Sequence, residues 1–508
     1  MGRIAVLEAE AKKKDLKIAT LESRVAQLMA ELRLALYRQF GKSSEQLVGQ
    51  ADLPFDDLKL DETPESVEAE SEAAQAHRKK SGRKLLADTI PRVDHFHDLT
   101  EAEKICACGH QRSKIGEDIS EKLNMIPAQV WVDRHHYAKY ACELCQGLSD
   151  ESKPAVIRAT DEPDLIPRSI ITPGLLAHIW TAKFCDHLPF YRQEAGFARI
   201  GAQISRQDMV NWTMKVTGMI SPLIELIDQN ILAGEVIQQD ETPVKVLKLD
   251  RTGKEGLGYM WLARGGPPKR KAVRYRFAPG RGHEHAKKYL KNFGGFHQCD
   301  GLGAYDLAAE GTSIKLVGCW AHARRKFMDA LKATPSDMVK DAIGRIKKLY
   351  ELERDSRTQA KKDFQTPDEF NRARKEILGP YIQELEKWIR HNAAVTLPES
   401  KLGQAFAYTL GQWEKLARFL DHPELTPDNN MAENAIRPFV LGRKNWLFSG
   451  NDAGAEASCR VFTLIETAKI NGLEPYAYLH SALKQLQTII ANGTWESLLP
   501  WNMTIGKI

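Results

Sequence analysis

Between Glu235 and Trp320 the hydrophobic period changes from helical to extended, and this change limits what the chain can fold into more than any other feature. Glu235 to Leu249, Gly258 to Ala263 and Ala272 to Ala278 are short β-type runs joined by Gly, Pro and Lys turns, and His283 to Phe293 reads as a helical stretch. Gly295 to Asp300 and Ile314 to Trp320 read as two more strands. The predicted order is three strands, a helix, a strand and a strand, which requires an α/β unit. Pro335 to Asp421 is almost wholly helical and charged and reads as an insertion. Thr426-Pro427-Asp428 is a strong start signal for a helix running from Asn430 to Arg437.

This strand order resembles the ribonuclease-H-like fold. In it, Asp240 sits at the polar end of Val236-Ile237-Gln238-Gln239 and Asp300 ends Phe296-His297-Gln298-Cys299, on strands expected side by side. Two carboxylates this close repel and take up a proton unless a cation sits between them. Oxygen-only ligands suit a hard cation such as magnesium, or manganese in its place. A third acid on a nearby helix would let two ions sit about 4 Å apart for an in-line displacement at phosphorus. Glu433 is the candidate, with Glu456 and Glu466 as rivals; Asn430-Met-Ala-Glu433 also matches a capping box, in which Glu433 would only hold the first turn.

Upstream, Ile18, Leu21, Val25, Leu28 and Leu32 follow the seam spacing of a coiled coil, and the alternative is an amphipathic helix packed on its own chain. Ala51 to Lys84 is acidic and then basic with no apolar period, as in a linker. Cys106-Ala-Cys108 and Cys142-Glu-Leu-Cys145 flank a strand-like Val130-Trp131-Val132; four thiolates can close a zinc site. The first pair is one residue short of the usual gap, which lets His110 compete as a ligand; a metal-free β-rich module is the alternative. Pro173 to Trp212 reads as three helices, with a turn at Gly201 and a third helix opening at Ser205. That is the outline of a helix-turn-helix or of an ordinary helical hairpin.

The net charge of +5 is small, but basic clusters at Arg78 to Lys84, Lys269 to Arg276 and Arg324 to Lys326 are candidate phosphate contacts. Apolar runs such as Ile170 to Trp180 stop short of the ~18 residues of a membrane span, and Met1 to Leu7 lacks a signal-peptide core, so a cytoplasmic, membrane-free chain is expected. Eight scattered or bunched cysteines suit a reducing compartment. His283-Glu-His285 with Tyr289 suggests a rival tyrosine-nucleophile endonuclease, but the residue between the histidines is charged where a buried strand needs an apolar one.

Several motifs carry a specific resemblance. Phe40-Gly-Lys-Ser-Ser-Glu45, Asp240-Glu-Thr-Pro243, Asp300-Gly-Leu-Gly-Ala-Tyr305, Gly318-Cys-Trp-Ala-His-Ala-Arg-Arg-Lys-Phe327 and Asn429-Asn-Met-Ala-Glu-Asn-Ala-Ile-Arg-Pro438, with Gly442-Arg-Lys-Asn-Trp446, make the chain similar to transposases of the insertion-sequence family numbered sixty-six. The resemblance implies a DDE-type core using Asp240, Asp300 and Glu433, transposon-end and target DNA as partners, and small accessory proteins of the same element. Taken with the residue patterns, it gives a coiled-coil helix over 1–50, the charged linker over 51–84, a zinc-finger-like cysteine module over 85–150 and a helical DNA-binding region over 151–230. The core would follow over 231–330, interrupted by a helical insertion over 331–424, resuming over 425–470 and ending in a tail over 471–508 around Asn471 to Leu479. His322, Arg324, Arg325, Arg437 and Lys444 are the expected DNA contacts, a homo-oligomer is the expected assembly, and the nucleoid the expected place of action. The alternative outside catalysis is a DNA-binding regulator or scaffold of a transposition complex.

Overall fold

Strand β3, Val236–Lys248, is buried on both faces over Val236 to Gln239, then alternates buried Val244 and Val246 with exposed Lys245 and Leu247. A strand of this kind is covered on two sides at one end and on one side at the other. The computed structural model describes residues 163–504 except 251–254 and 364–365. Before them it describes 24, 25, 28, 29, 32, 92–94, 97, 98, 100, 103–105, 107, 110, 122, 129–141 and 156–159.

Strand β4 (Gly256–Gly265) pairs antiparallel with β3, and β5 (Ala272–Ala278) antiparallel with β4. On the other side β6 (Phe296–Gln298) and β7 (Lys315–Val317) run parallel to β3, in the order β5-β4-β3-β6-β7. The predicted succession of three strands, a helix and two strands is therefore present as a mixed sheet. Two elements lie beyond that expected succession: helix α6 (Gly303–Ala309) between β6 and β7, and β8 (Ser449–Asn451), which pairs parallel with the far end of β3. Asp240 is also not at the end of its strand, which continues through Lys248.

One face of the sheet carries Val244, Val246, Met260, Leu262 and Tyr275. It packs against α12 (Asn430–Trp446) and α13 (Asp452–Ile470) through Ile436, Phe439, Phe462 and Ile465. The other face places Trp261, Cys299 and Leu316 against α5 (His283–Tyr289) and α6. Edge strand β5 presents amides that need acceptors. Helix α13 supplies them: Thr467 Oγ1 accepts from Val273 N at 3.1 Å, Thr463 Oγ1 from Tyr275 N at 3.0 Å, and Glu456 from Phe277 N at 3.2 Å.

Helices α1 (Pro173–Phe184), α2 (Phe190–Arg199), α3 (Arg206–Met219) and α4 (Ser221–Leu232) precede the sheet. Thr172 caps α1 ahead of Pro173, Gly201 turns the chain at φ +87°, and Ser205 accepts from Asp208 N at 3.1 Å, as its spacing predicts. Helix α3 buries Met209, Trp212 and Val216 and exposes Arg206, Gln207, Asn211 and Lys215.

After β7 come α7 (Trp320–Ala333), α8 (Asp337–Asp363), α9 (Pro367–Val395), α10 (Lys401–Gly411) and α11 (Trp413–Ala417). A capping box between Thr366 and Glu369 starts α9. Arg374, fully buried on α9, donates to the carbonyls of Phe419 (2.6 Å), His422 (2.9 Å) and Leu425 (3.0 Å) and to Glu353 (3.2 Å). It thereby fixes the segment that leads into α12. Helix α14 (Pro475–Asn492) stops at Gly493, whose φ of +75° suits a residue without Cβ, and the turn after it buries Leu498 and Leu499 in the core.

Strands β1 (Lys139–Ala141) and β2 (Val156–Arg158) form a separate antiparallel ribbon. A second compact unit spans Gln50–Asp133; in it Thr100 N donates to Glu103 at 2.9 Å and Lys104 pairs with Asp98 at 2.9 Å. Val130, Trp131 and Val132, expected as a strand, form no ladder and are exposed. The linker over 51–84 and Cys106, Cys108, Cys142 and Cys145 lie outside the described residues. Of the predicted seam, Val25, Leu28 and Leu32 are helical and exposed. Among the described residues, no helix is long and apolar enough to cross a membrane.

Candidate active site

The parallel register of β3 and β6 pairs Gln238 with Gln298, and two residues further along each chain stand Asp240 and Asp300. The glutamines below them are hydrogen-bonded, Gln238 Nε2 to Gln298 Oε1 at 2.8 Å, and Gln298 Nε2 reaches Thr426 O at 2.7 Å. Asn429 Nδ2 donates to Gln239 O at 2.7 Å. Because these amides are buried, their bonds resist exchange with water and bind the start of α12 to the sheet. Glu433, in the first turn of α12, is thereby carried to the aspartates.

The electrostatics follow from this closeness. Burial, then the carboxylates of Glu241 and Glu433, push Asp240 up to about 7; the Glu241 amide, donating at 2.9 Å, opposes the shift, and Asp300 adds to it. Asp300 Oδ1 accepts from Leu302 N at 3.0 Å, while Oδ2 lies 3.8 Å from Arg281. Glu433 Oε1 is buried with no hydrogen-bond partner, 3.6 Å from His322 Nδ1, and Oε2 is 3.8 Å from Arg325. The capping-box alternative is not what forms: Asn429 is the N-cap, with no side-chain cap bond, and Asn430 turns to Asp428. A like-charged, partly buried set with an orphaned oxygen suits a divalent cation.

Glu241 is a further acid beside the site. Its side chain, 1% exposed on the opposite face of β3, accepts from Tyr305 Oη and from Arg281. The tyrosine that closes the run Asp300 to Tyr305 thus supplies a hydrogen-bond donor to the buried acid beside Asp240, and Arg281 spans that acid and Asp300. The only signal was adjacency to Asp240, because the partners lie 40 and 64 residues away.

A family model described as the transposase IS66 family matches residues 168–457. The chain belongs to that family. Further IS66 models match the zinc-finger binding domain over 103–146 and the C-terminal element over 463–501, and one described as transposase C of IS166 homeodomain, a leucine-zipper-like segment, matches 27–94. The chain is similar to two uncharacterized proteins of Sinorhizobium fredii. It is 30% identical to y4qI over 99% of this chain and 93% of that one, and 29% identical to y4hP over 95% and 88%. A DDE transposase family implies an enzyme that uses a divalent metal and acts on DNA.

The remaining sequence candidates of this IS66 family member fall in different places. Glu456 is committed to Arg274 at 3.3 Å and to the β5 edge, and Glu466 to Lys469 at 2.8 Å; neither is among the charges acting on Asp240. Tyr289 packs on Trp261 and donates to Phe277 O at 3.3 Å, and its burial raises its hydroxyl to about 12, a poor state for a nucleophile. Arg324, expected at the DNA, is only 6% exposed; it follows the buried face of α7 with Ala323 and Phe327. Arg325, Arg437 and Lys444 are exposed. His322 turns its Nδ1 inward to Glu433.

Proposed function

We propose that this IS66 family member is a DDE-type DNA transposase built on a ribonuclease-H-like core. The observation that carries the reading is the convergence of Asp240, Asp300 and the orphaned oxygen of Glu433 at one end of a sheet ordered β5-β4-β3-β6-β7. Asp240, Asp300 and Glu433 would hold magnesium or manganese. Such ions, when bound, offset phosphate charge and make water more acidic.

The chain's own residues do the rest. The glutamine pair and Asn429 keep the three carboxylates in place before DNA arrives, so little reorganisation is needed at the reacting phosphate. Arg281, held by Glu241, sits at Asp300, and Arg325, Arg437 and Lys444 offer exposed charge to the DNA backbone. Water attacks a phosphodiester at the transposon end and the 3′ oxygen leaves as a hydroxyl; that hydroxyl then attacks a phosphodiester of target DNA. Each step breaks one P–O bond as another forms, so no covalent protein–DNA intermediate arises. The polar face of α3 supports end binding, the cysteine module is proposed to hold zinc, and the exposed Val25, Leu28 and Leu32 support self-association.

The test is strand cleavage of a labelled transposon-end duplex in magnesium or manganese, with the element's accessory proteins supplied, comparing wild type with Asp240→Asn and Glu433→Gln. Cleavage lost in both variants with end binding retained supports the proposal. Binding without cleavage by wild type at any metal concentration makes the chain a scaffold or regulator.

A further inference from the structure

We infer that Cys319, His322 and Glu433 form a second kind of cation site, for a zinc-class divalent ion. Their ligand atoms, one sulfur, one nitrogen and one oxygen, lie within 4.8 Å of one another. Cys319 is the N-cap of α7, His322 stands in the first turn, and Glu433 stands in the first turn of α12. The two helix starts are tied together, because Trp320 N donates to Pro427 O at 2.9 Å and Asn429 N to Cys319 Sγ at 3.3 Å. The cluster is therefore held by backbone and does not depend on flexible surface chains.

Two observations point to a ligand there. His322 Nδ1 and Glu433 Oε1 are both buried and neither makes a hydrogen bond. Two such atoms left unpaired carry an uncompensated desolvation cost, which an ion would offset. They are also 3.6 Å apart. Zn–N and Zn–O bonds of about 2.0–2.2 Å at a tetrahedral angle set ligand atoms roughly 3.3–3.6 Å apart. The donor set decides the class of ion: sulfur and imidazole select zinc, cobalt or their neighbours over magnesium. On binding, the Cys319 Sγ–H bond breaks, its proton goes to solvent and the sulfur's electron pair goes to the ion, while the Asn429 amide continues to donate to the sulfur.

Binding at this site does not require that the chain transpose DNA; only its consequence for activity rests on that reading, because the ion would draw on the carboxylate proposed to serve magnesium. The test is titration of the full chain with cobalt(II), read by visible absorption and by stoichiometry, in wild type, Cys319→Ser and His322→Gln. Cobalt taken by the cysteine module is common to all three. Wild type should bind about one equivalent more than either variant, with sulfur-to-cobalt absorption additional to that of the cysteine module, an increment that Cys319→Ser lacks and that zinc abolishes. Equal stoichiometry and superimposable spectra in folded wild type and His322→Gln would overturn the site, even if Cys319→Ser misfolds. Equal spectra with Asp240-dependent cleavage intact remove this site alone. A cobalt difference in a protein that never cleaves DNA leaves the site standing and removes the transposase reading.

Discussion

Asp240 and Glu456 are both carboxylates drawn against the same mixed sheet, yet their surroundings are opposite. Glu456 meets Arg274 and Arg460 and accepts an amide of the β5 edge. Asp240 meets Glu241, Glu433 and Asp300, and it accepts a hydrogen bond from the adjacent amide. A fold that neutralises one acid so fully and leaves the other among like charges is storing electrostatic cost at one place. The difference separates an acid that maintains the sheet from one proposed to hold a cation, which spacing in the sequence does not do.

The comparison can be broken most directly by activity. Glu433→Gln should lower metal-dependent cleavage by roughly 10³-fold, the scale on which preorganised charge groups act. Glu456→Gln should leave cleavage within a few-fold of wild type in the same labelled-duplex assay. Equal losses would dissolve the distinction.

A second test concerns a buried charge that is fully partnered. Arg374→Met removes donors to three carbonyls and leaves Glu353 with Arg357. Because one partner of a buried pair is taken away, urea denaturation should show a loss of about 3–5 kcal/mol. A change under about 1 kcal/mol would mean that the segment leading into α12 is held by packing alone.

The third prediction turns on pH. Asp240 holds its proton more tightly in the folded, metal-free protein than in the unfolded chain, being raised from 3.8 to about 7. The folded state therefore binds more protons between those values, and stability from this group falls as pH rises through that window. In magnesium-free buffer Asp240→Asn should be more stable than wild type at pH 8, by up to about 4 kcal/mol, with the gap closing by about pH 4. Adding magnesium should stabilise wild type and not the variant. Parallel pH profiles in chemical denaturation would refute the proposed origin of the shift.

The smallest effect sharpens the other side of the comparison: Glu456→Gln should cost about 1–2 kcal/mol through its partly exposed ion pair and its amide contact, checked by thermal denaturation.

Much of the fold was legible from local pattern. The strand runs from Glu235 to Val317, the helix starts at Pro173 and Ser205, and the entry into α12 after Thr426-Pro427-Asp428 lie where periodicity, proline and capping residues predict them, while the expected last strand stops at Val317 and Trp320 opens α7 instead. Strand β8, three residues of Ser, Gly and Asn, has no such pattern; it is a strand only because the end of β3 offers it a partner.

The sequence by itself determined the family, through motifs in a set order, and the mixed α/β core, through a change of period that backbone geometry enforces over a few residues. Only the tertiary structure decided which glutamate approaches Asp240, that Arg324 turns inward while Arg325 faces solvent, and that Tyr305 and Arg281 donate to Glu241. The physical reason is range. Strand and helix patterns are read within one element, whereas Asn429 reaches the strand of Asp240 across 190 residues, and the balance of charge at the site exists only once those partners meet.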